Sequence, residues 1–168
     1  AAGNVYTANS DSDNVSKITP AGTSIILGTT DNSPMGIALD AAGNVYTANS
    51  GSNNVSKITP AGDSIIFGTT GSGQLAIALD ASGNVYTVNG NDNNVSKITS
   101  GGISTILGPT GSSPKGIAID AAGNVYTANR DSNDVSKIAP ASAVSYPATG
   151  DTSPITITGL TNGTDYSI

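Results

Sequence analysis

The 168-residue sequence contains no cysteine, no histidine, no tryptophan and no glutamate, and these absences exclude several kinds of site. Without cysteine the chain forms no disulfide and no thiolate metal site, although this leaves the redox compartment undecided. Without histidine it lacks the usual general base near pH 7 and the commonest metal ligand. No apolar run approaches the roughly 18 residues of a membrane span. The chain begins with Ala1 rather than Met, so we expect a processed form or a fragment.

The residues that are present favour short strands joined by turns. All 12 acidic residues are Asp, and the chain has 21 Gly but only 6 Tyr and 1 Phe. Missing Glu and abundant Gly disfavour helix. The net charge of −6 gives no electrostatic reason to bind nucleic acid or anionic lipid. We therefore expect no nucleic-acid partner and no membrane insertion.

The sequence repeats itself every 40 residues without insertion or deletion. The word GNVYT recurs at Gly3, Gly43, Gly83 and Gly123, and VSKI recurs at Val15, Val55, Val95 and Val135. Residues 1–40 and 41–80 are identical at 30 of 40 positions. A period of this length indicates one supersecondary unit stacked on copies of itself.

Each repeat is predicted to form four short strands, labelled a to d. In the second repeat, strand a covers 36–40, strand b 44–48, strand c 55–59 and strand d 64–67. A turn from Asp40 to Gly43 separates a from b, because Asp bonds nearby backbone and Gly supplies a positive φ. Four strands per repeat without a helix are typical of a β-propeller blade. A β-solenoid is the structural alternative, but its coils are usually shorter and lack repeated hairpin turns.

Strand b indicates how the blades stack. Val5 and Thr7 point to one face and Tyr6 and Ala8 to the other, since side chains alternate along a strand. Neither face is fully polar, which favours a sheet held between two neighbours. Strand a, with its Gly and Ala, is predicted to be innermost, where the chain is most crowded.

The words GIAID, AAGNVYTANR and DSNDVSKIAP, which end at Pro140, and their earlier copies resemble the NHL-repeat class of propellers. They are more closely similar to the bacterial repeats grouped with streptogramin lyase. The resemblance covers residues 1–140 and implies an all-β propeller of about four blades. Streptogramin lyases depend on a catalytic His and a divalent metal, and this chain has no His. The resemblance therefore implies the fold and not the activity.

The segment 141–168 departs from the repeat. Its phase predicts a strand d near Ala143–Tyr146 and a strand a within SPITITGL. The wording SPITITGLTNGTDYSI also resembles the middle strands of a bacterial fibronectin type III domain. The tail is thus either a diverged blade-closing segment or a truncated fibronectin-like one, and both interpretations stay open.

The repeats are predicted to form an incomplete ring unless another chain or a longer parent completes it. The first repeat begins at strand b, which leaves an inner edge that recruits a further strand. Self-closure with four blades would leave wide outer gaps, and the chain has few aromatic residues to fill them. We expect self-association by strand exchange, with an assembly strand formed by Pro154, Ile155, Thr156, Ile157 and Thr158.

The loops between strands b and c carry the candidate ligand-binding residues, because these loops share one rim with the d–a loops. Asp and Asn supply the hard oxygens that calcium prefers. The alternative is that they are turn formers, since Asx-rich hairpins need the same residues. We expect no cofactor, with calcium as the one metal that these loops could hold. The candidates are Asn9, Asp11, Asp13, Asn49, Asn53, Asn89, Asp92, Asn129, Asp131 and Asp134.

Two further sets of residues recur in phase. Lys17, Lys57, Lys97 and Lys137 could form a basic ring, but we expect their stems to cover apolar surface. Tyr6, Tyr46, Tyr86 and Tyr126 could stack on sugars. We expect them instead to pack between blades, with each hydroxyl reaching a backbone partner.

These observations predict a non-enzymatic, extracellular or surface-displayed repeat scaffold for structural assembly or for binding proteins or ligands. Near-identical blades do not bring unlike groups together at one point, as catalysis requires. We therefore favour a protein that is not an enzyme, and no catalytic or metal-ligating residue is assigned. The alternatives are a lyase- or lactonase-like enzyme that uses carboxylates and a divalent metal, and a lectin that binds glycans.

Overall fold

The computed structural model describes residues 3–140, which form fourteen strands and no helix. The strands follow the 40-residue repeat. They are β1 Val5–Asn9, β2 Asn14–Ile18, β3 Ser24–Thr29, β4 Pro34–Leu39, β5 Val45–Asn49, β6 Asn54–Ile58, β7 Ser64–Thr69, β8 Gln74–Leu79, β9 Val85–Asn89, β10 Asn94–Ile98, β11 Ser104–Pro109, β12 Pro114–Ile119, β13 Val125–Asn129 and β14 Asp134–Ile138.

These strands form four antiparallel sheets, which are the blades of a β-propeller. Blade 1 contains β1–β3, blade 2 β4–β7, blade 3 β8–β11 and blade 4 β12–β14. Within each blade the strands pair in sequence order, so the predicted order a, b, c, d is confirmed. Among the described residues, blade 1 has no strand a and blade 4 no strand d. The proposed assembly strand 154–158 and the rest of the tail lie outside the described residues.

The strands differ from the predicted ones at their ends. Strand a of blade 2 starts at Pro34 rather than at residue 36, and strand d runs on to Thr69. Both extensions contain a shift in register, between Pro34 and Gly36 and opposite Val55 and Ser56. A bulge lets a strand continue through residues that read locally as a turn.

Each blade has two faces, which we call front and back. The front face carries Tyr of strand b and Val of strand c, and the back face carries Val of strand b and Ile of strand c. The front of each blade packs on the back of the next in three apolar clusters, built around Val15 with Val45, Val55 with Val85, and Val95 with Val125. All six are fully buried. Burial of each such side chain contributes about 1.5–3 kcal/mol.

The inner strands of neighbouring blades lie against one another. A Cβ added at Gly36 would lie 3.2 Å from the Cα of Ala76 and 3.1 Å from Cγ2 of Ile77 in the next blade. The side chain at this position is therefore limited by the approach of the next blade, as the sequence predicted for strand a.

The outer strands also approach the next blade at one glycine each. A Cβ at Gly28 would lie 2.7 Å from Cγ2 of Ile58, and one at Gly68 would lie 2.8 Å from Cγ2 of Ile98. Neither glycine has a positive φ. They are required because the Ile of the next strand c occupies the space of a side chain, a contact that the sequence did not indicate.

The turn between strands a and b is held by its aspartate. In blade 2 the Asp40 carbonyl accepts from the Gly43 N–H, and Oδ1 accepts from the Asn44 N–H at 2.9 Å. Oδ2 accepts from the Tyr46 hydroxyl at 3.2 Å. Tyr46 packs against Val85 and Ile98 of the next blade, as predicted, but its hydroxyl partner is this carboxylate rather than the backbone. The same contacts recur at Asp80 with Tyr86 and at Asp120 with Tyr126.

In blades 2 to 4 the repeated Lys lies above the same Tyr ring. Lys57 Nζ is 5.5 Å from the ring centroid of Tyr46, and Lys97 Nζ is 5.4 Å from that of Tyr86. Burial raises the pKa of Tyr86 to about 12, with the neighbouring Asp80 adding to the rise. In blades 2, 3 and 4 the Lys thus covers an aromatic face within its own blade.

We expect the protein to lose stability in acid through the turn aspartates. Burial raises the pKa of Asp40 and Asp80, but hydrogen bonds from the following Asn and Tyr outweigh it, so both pKa values are lowered. The Asn124 side chain similarly lowers the pKa of Asp120. A carboxyl whose pKa is lower in the folded state contributes stability above its unfolded pKa of about 4, and that contribution is lost as the pH falls through the folded pKa.

Thermal melts from pH 7 to pH 2 check this expectation. The midpoint should hold down to about pH 5 and then fall. The Asp80→Asn variant should be less stable at pH 7 and show a shallower fall. A midpoint that stays constant to pH 2 would contradict the linkage.

Gly43 has a φ of +84°, as the turn predicts, and its equivalents at Gly3, Gly83 and Gly123 are also positive. We expect Gly43→Val to lower the free energy of unfolding by about 1–3 kcal/mol, because a β-branched residue resists this conformation. The control is Gly101→Val, since Gly101 has no positive φ and its nearest neighbour is 3.9 Å from an added Cβ. Chemical denaturation compares the two, and equal losses would remove the backbone explanation.

Candidate functional site

The b–c loops form tight turns in which one Asx residue is left-handed. The φ values are +49° at Asp13, +55° at Asn53, +51° at Asn93 and +56° at Asn133. Asn and Asp tolerate this region better than other residues with side chains. The turn-forming role that the sequence suggested for these loops is therefore real at this position in every repeat.

One amide, buried in blades 2 to 4 and half-buried in blade 1, ties each b–c turn to the strand that follows it. In blade 2, Asn49 Nδ2 donates to Asn54 Oδ1 and to Ser56 Oγ, both at 2.8 Å. Asn49 Oδ1 accepts from the Thr47 hydroxyl at 2.9 Å. Asn49 and Thr47 are fully buried. The node recurs around Asn9, Asn89 and Asn129.

The d–a linker of one blade bonds to this node in the next blade. The Asp31 N–H donates to Ser56 Oγ at 3.0 Å, and Asn54 Nδ2 donates to Asp31 Oδ2 at 2.6 Å. The N–H groups of Gly71 and Gly111 donate in the same way to Ser96 and Ser136. Because the linkers contact the b–c strand ends directly, the two loop sets share one rim, as predicted.

The linkers also contact the b–c turn of the preceding blade. The Ser33 N–H donates to Asp13 Oδ1, and the Ser113 N–H donates to Asn93 Oδ1, each at 2.8 Å. Each linker is therefore held on both sides, so the rim is a connected surface and not a row of independent loops.

The predicted ligand residues divide into two groups on this rim. Asn49, Asn89 and Asn129 are at most 3% exposed, and their side chains are occupied in the nodes. Asn9 and Asp13 are half-buried. The exposed members are Asp11, Asn53, Asp92, Asp131 and Asp134. A ligand approaching from solvent would meet the second group and not the buried amides.

Several rim carboxylates have lowered pKa values. Hydrogen bonds from Asn54 and Ser52 lower the pKa of Asp31. The pKa of Asp134 is lowered by Asn129, and that of Asp131 by Arg130, whose Nε lies 2.6 Å from Oδ1. These groups are ionised at neutral pH. Within residues 3–140, however, no three acidic side chains converge as metal ligands would.

One feature of the rim involves residues that sequence reasoning assigned to no constellation. Lys115 and Arg130 line an open depression of about 380 Å³ on blade 4, together with the apolar side chains of Ala128 and Val135. In the sequence, these positions stood out only by comparison between repeats. Lys115 occupies the position of Met35 and Leu75, and Arg130 occupies the position of Ser50 and Gly90. The structure brings the two cations to one side of the last described blade.

The chain is similar to known propellers in fold only. No protein-family model matches it, and no curated protein does. A streptogramin B lyase has a TM-score of 0.69 at 14% identity, over 85% of this chain and 53% of that chain. A catalytically inactive virginiamycin B lyase from Staphylococcus aureus, solved with quinupristin, gives 0.67 at 18%, over 84% and 54%. A nidogen/laminin complex gives 0.68 at 16%, over 82% and 59%.

These likenesses confirm the resemblance to NHL and streptogramin-lyase-like propellers. This chain spans a little over half the length of the structures that it matches. Identities of this size establish the architecture alone. The activities and partners of those proteins are not assigned to this chain on that basis.

Proposed function

We propose that this chain is a non-enzymatic, extracellular or surface-displayed repeat scaffold that binds a protein or another ligand on the rim of the b–c and d–a loops. Two observations support the proposal. The propeller fold offers a rigid surface, and one of the structures with a similar fold is a complex of two proteins, nidogen and laminin. The described residues contain no helix that could cross a membrane. The blades are too alike to assemble unlike catalytic groups.

The main support for the proposal is the location of the positions at which neighbouring repeats differ in sequence. Ten positions differ between residues 1–40 and 41–80: two in the b–c loop, three in the d–a linker, three at the start of strand a and two elsewhere. They are 11, 13, 31, 32, 33, 34, 35, 36, 23 and 27. Eight of these ten are therefore at one end of the blades, on or beside the rim.

The buried nodes give this variation a fixed support. The residues of each node are the same in all four repeats, apart from Asp134 in place of Asn, whereas the exposed rim positions next to them change. Position 11 is Asp, and its equivalents are Gly51, Asn91 and Asp131. Binding residues on a rigid scaffold are the usual way in which a repeat fold acquires a partner.

An array of extracellular-matrix proteins and glycans, probed with the labelled chain, tests the proposal. We expect a bound target whose signal falls at least tenfold when the exposed rim side chains of blades 1, 3 and 4 are removed together. That variant carries Asp11→Gly, Asp92→Ser, Asp131→Gly and Arg130→Ser, residues found at these positions in other repeats.

The matched control is Thr23→Asp, which introduces the residue of the second repeat in the c–d turn of blade 1, on the other rim. It should bind as the unchanged chain does. Unaltered binding by the rim variant would exclude this surface. Several equivalent glycan sites per chain would instead support the lectin alternative, and turnover in a lyase and esterase panel would support an enzyme.

We propose that the chain needs no calcium to fold, because the b–c turns close through their own side chains. The loop of blade 2, Gly51 to Asn54, has no carboxylate yet adopts the same turn. Thermal melts with chelator and with added calcium should coincide. A rise in the midpoint of more than about 5 °C on adding calcium would contradict this, since binding to the native state stabilises it by mass action.

We also propose that the scaffold self-associates, with 154–158 acting as an assembly strand for another copy. Its phase is that of strand a, which blade 1 lacks among the described residues. An added strand gains affinity from main-chain hydrogen bonds. Light scattering of the full chain and of a version that ends at Pro140 tests this segment, and we expect the shorter chain to associate more weakly.

A further inference from the structure

The two end blades each leave uncovered a face that is buried everywhere else in the described chain. On the back of blade 1, Val5 is 56% exposed, while its equivalents Val45, Val85 and Val125 are fully buried. On the front of blade 4, Val135 is 66% exposed, while Val15, Val55 and Val95 are fully buried. The sequence does not distinguish these positions from their buried equivalents, and they differ in that no blade of the described residues lies against them.

The c–d turn of blade 1 gives an independent sign of the same opening. A Cβ added at Gly62 or Gly102 would lie 2.5 or 3.1 Å from a carbonyl oxygen of the preceding blade. At Gly22, the equivalent position in blade 1, nothing lies within 4 Å. The outer part of the back face is therefore open as well.

The two open faces are matched to each other. The three internal contacts pair the front of one blade with the back of the next, through Val15 with Val45, Val55 with Val85, and Val95 with Val125. The front of blade 4 carries Tyr126 and Val135, and the back of blade 1 carries Val5 and Ile18, which are the same residue types. A second copy can thus place its Val5 against Val135 without any new kind of contact.

We propose that the chain docks head to tail with a second copy of itself, the front of blade 4 packing on the back of the partner's blade 1. The inference rests on the proposed self-association and names its surface. The fourteen described strands, which form two complete and two three-stranded blades, correspond to 53% of the lyase chain, so two copies contain about as many strands as one closed ring of that curvature. A second copy can therefore complete such a ring, and a front-to-back contact closes a ring when its rotation allows.

Blocking each face with a charge tests the docking. The unchanged 168-residue chain should scatter light as a dimer, at twice its mass of 16.4 kDa. Val5→Lys and Val135→Lys should each reduce the measured mass twofold, because an ammonium on either face would be buried without a partner. Both side chains are more than half exposed in the single chain, so circular dichroism should be unchanged.

Mixing the two variants tests the head-to-tail order. The Val5→Lys chain keeps a good front face and the Val135→Lys chain a good back face, so the mixture should form a one-to-one dimer although each alone is a monomer. Front-to-front or back-to-back pairing predicts that one variant dimerises by itself. The control is Ile103→Lys, at a side chain 67% exposed on an internal blade, which should stay a dimer.

The outcomes separate the two levels of the proposal. A monomeric unchanged chain overturns both self-association and docking. A dimer that persists in both lysine variants, but is lost when the chain ends at Pro140, overturns face docking and leaves strand exchange. A mixture that remains monomeric overturns the head-to-tail order.

Discussion

Replacing Gly62 with alanine is expected to lower the free energy of unfolding by about 3 kcal/mol, while the same change at Gly22 costs about 1 kcal/mol. The two glycines occupy the same c–d turn in successive blades, with φ values of +98° and +82°. The backbone strain of an alanine is therefore nearly the same at both. They differ in their surroundings, since an added Cβ meets the Leu27 carbonyl oxygen at 2.5 Å in blade 2 and nothing within 4 Å in blade 1.

Gly102 provides the third member of the series. Its φ is +86°, and the nearest atom to an added Cβ is the Phe67 carbonyl oxygen at 3.1 Å. Gly102→Ala should therefore fall between the other two in urea denaturation. Equal losses at all three positions would show that backbone conformation alone decides the cost. Losses that follow the distances would show that the approach of the preceding blade does.

The second large effect is expected for Asn49→Asp, a change that preserves shape and exchanges a donor for an acceptor. It removes the two hydrogen bonds that Asn49 Nδ2 donates to Asn54 and Ser56. It also places a charge at a fully buried position. We expect a loss of about 3 kcal/mol at pH 7, because a buried group without its partner costs its full desolvation.

Asn53→Asp is the matched control, four residues away. Asn53 is exposed, and its left-handed conformation is the one that Asp13 adopts in the first repeat. Its loss should be within about 0.5 kcal/mol, as is usual for a surface substitution. Denaturation of the two variants at pH 7 makes the comparison. A mild effect at Asn49 would mean that the node can rearrange around a carboxylate.

The sequence predicted those features that a single repeat determines. The word DAAG indicated the turn at Asp40 and the positive φ of Gly43, since both depend on local chemistry. The alternation of Val and Tyr along strand b indicated that both faces of a blade are covered, as they are in blades 2 and 3. These features could be predicted because they depend on residues that are close together in the sequence and recur in every repeat.

The features that the sequence did not predict arise between blades. Nothing near Gly62 or Gly68 indicates that a carbonyl or an Ile of another blade lies at that place. Asn49 was expected at the rim as a ligand, because Asn in a loop reads as exposed. Strand b runs one residue further than predicted, and the preceding linker covers its end. The available signal was the constancy of this Asn beside positions that change.

The equivalence of the three internal contacts has a consequence for how such a chain can change over generations. An in-frame deletion of residues 41–80 would join Asp40 to Ala81, so that β4 would pair with β9 and the front of blade 1 would pack on the back of this hybrid blade. The Val15 side chain would then meet Val85 in place of Val45, so the central Val–Val contact would be kept. A duplication of the same stretch would be accepted for the same reason. The number of blades can therefore change by recombination between the repeats of the gene. No individual blade determines that number.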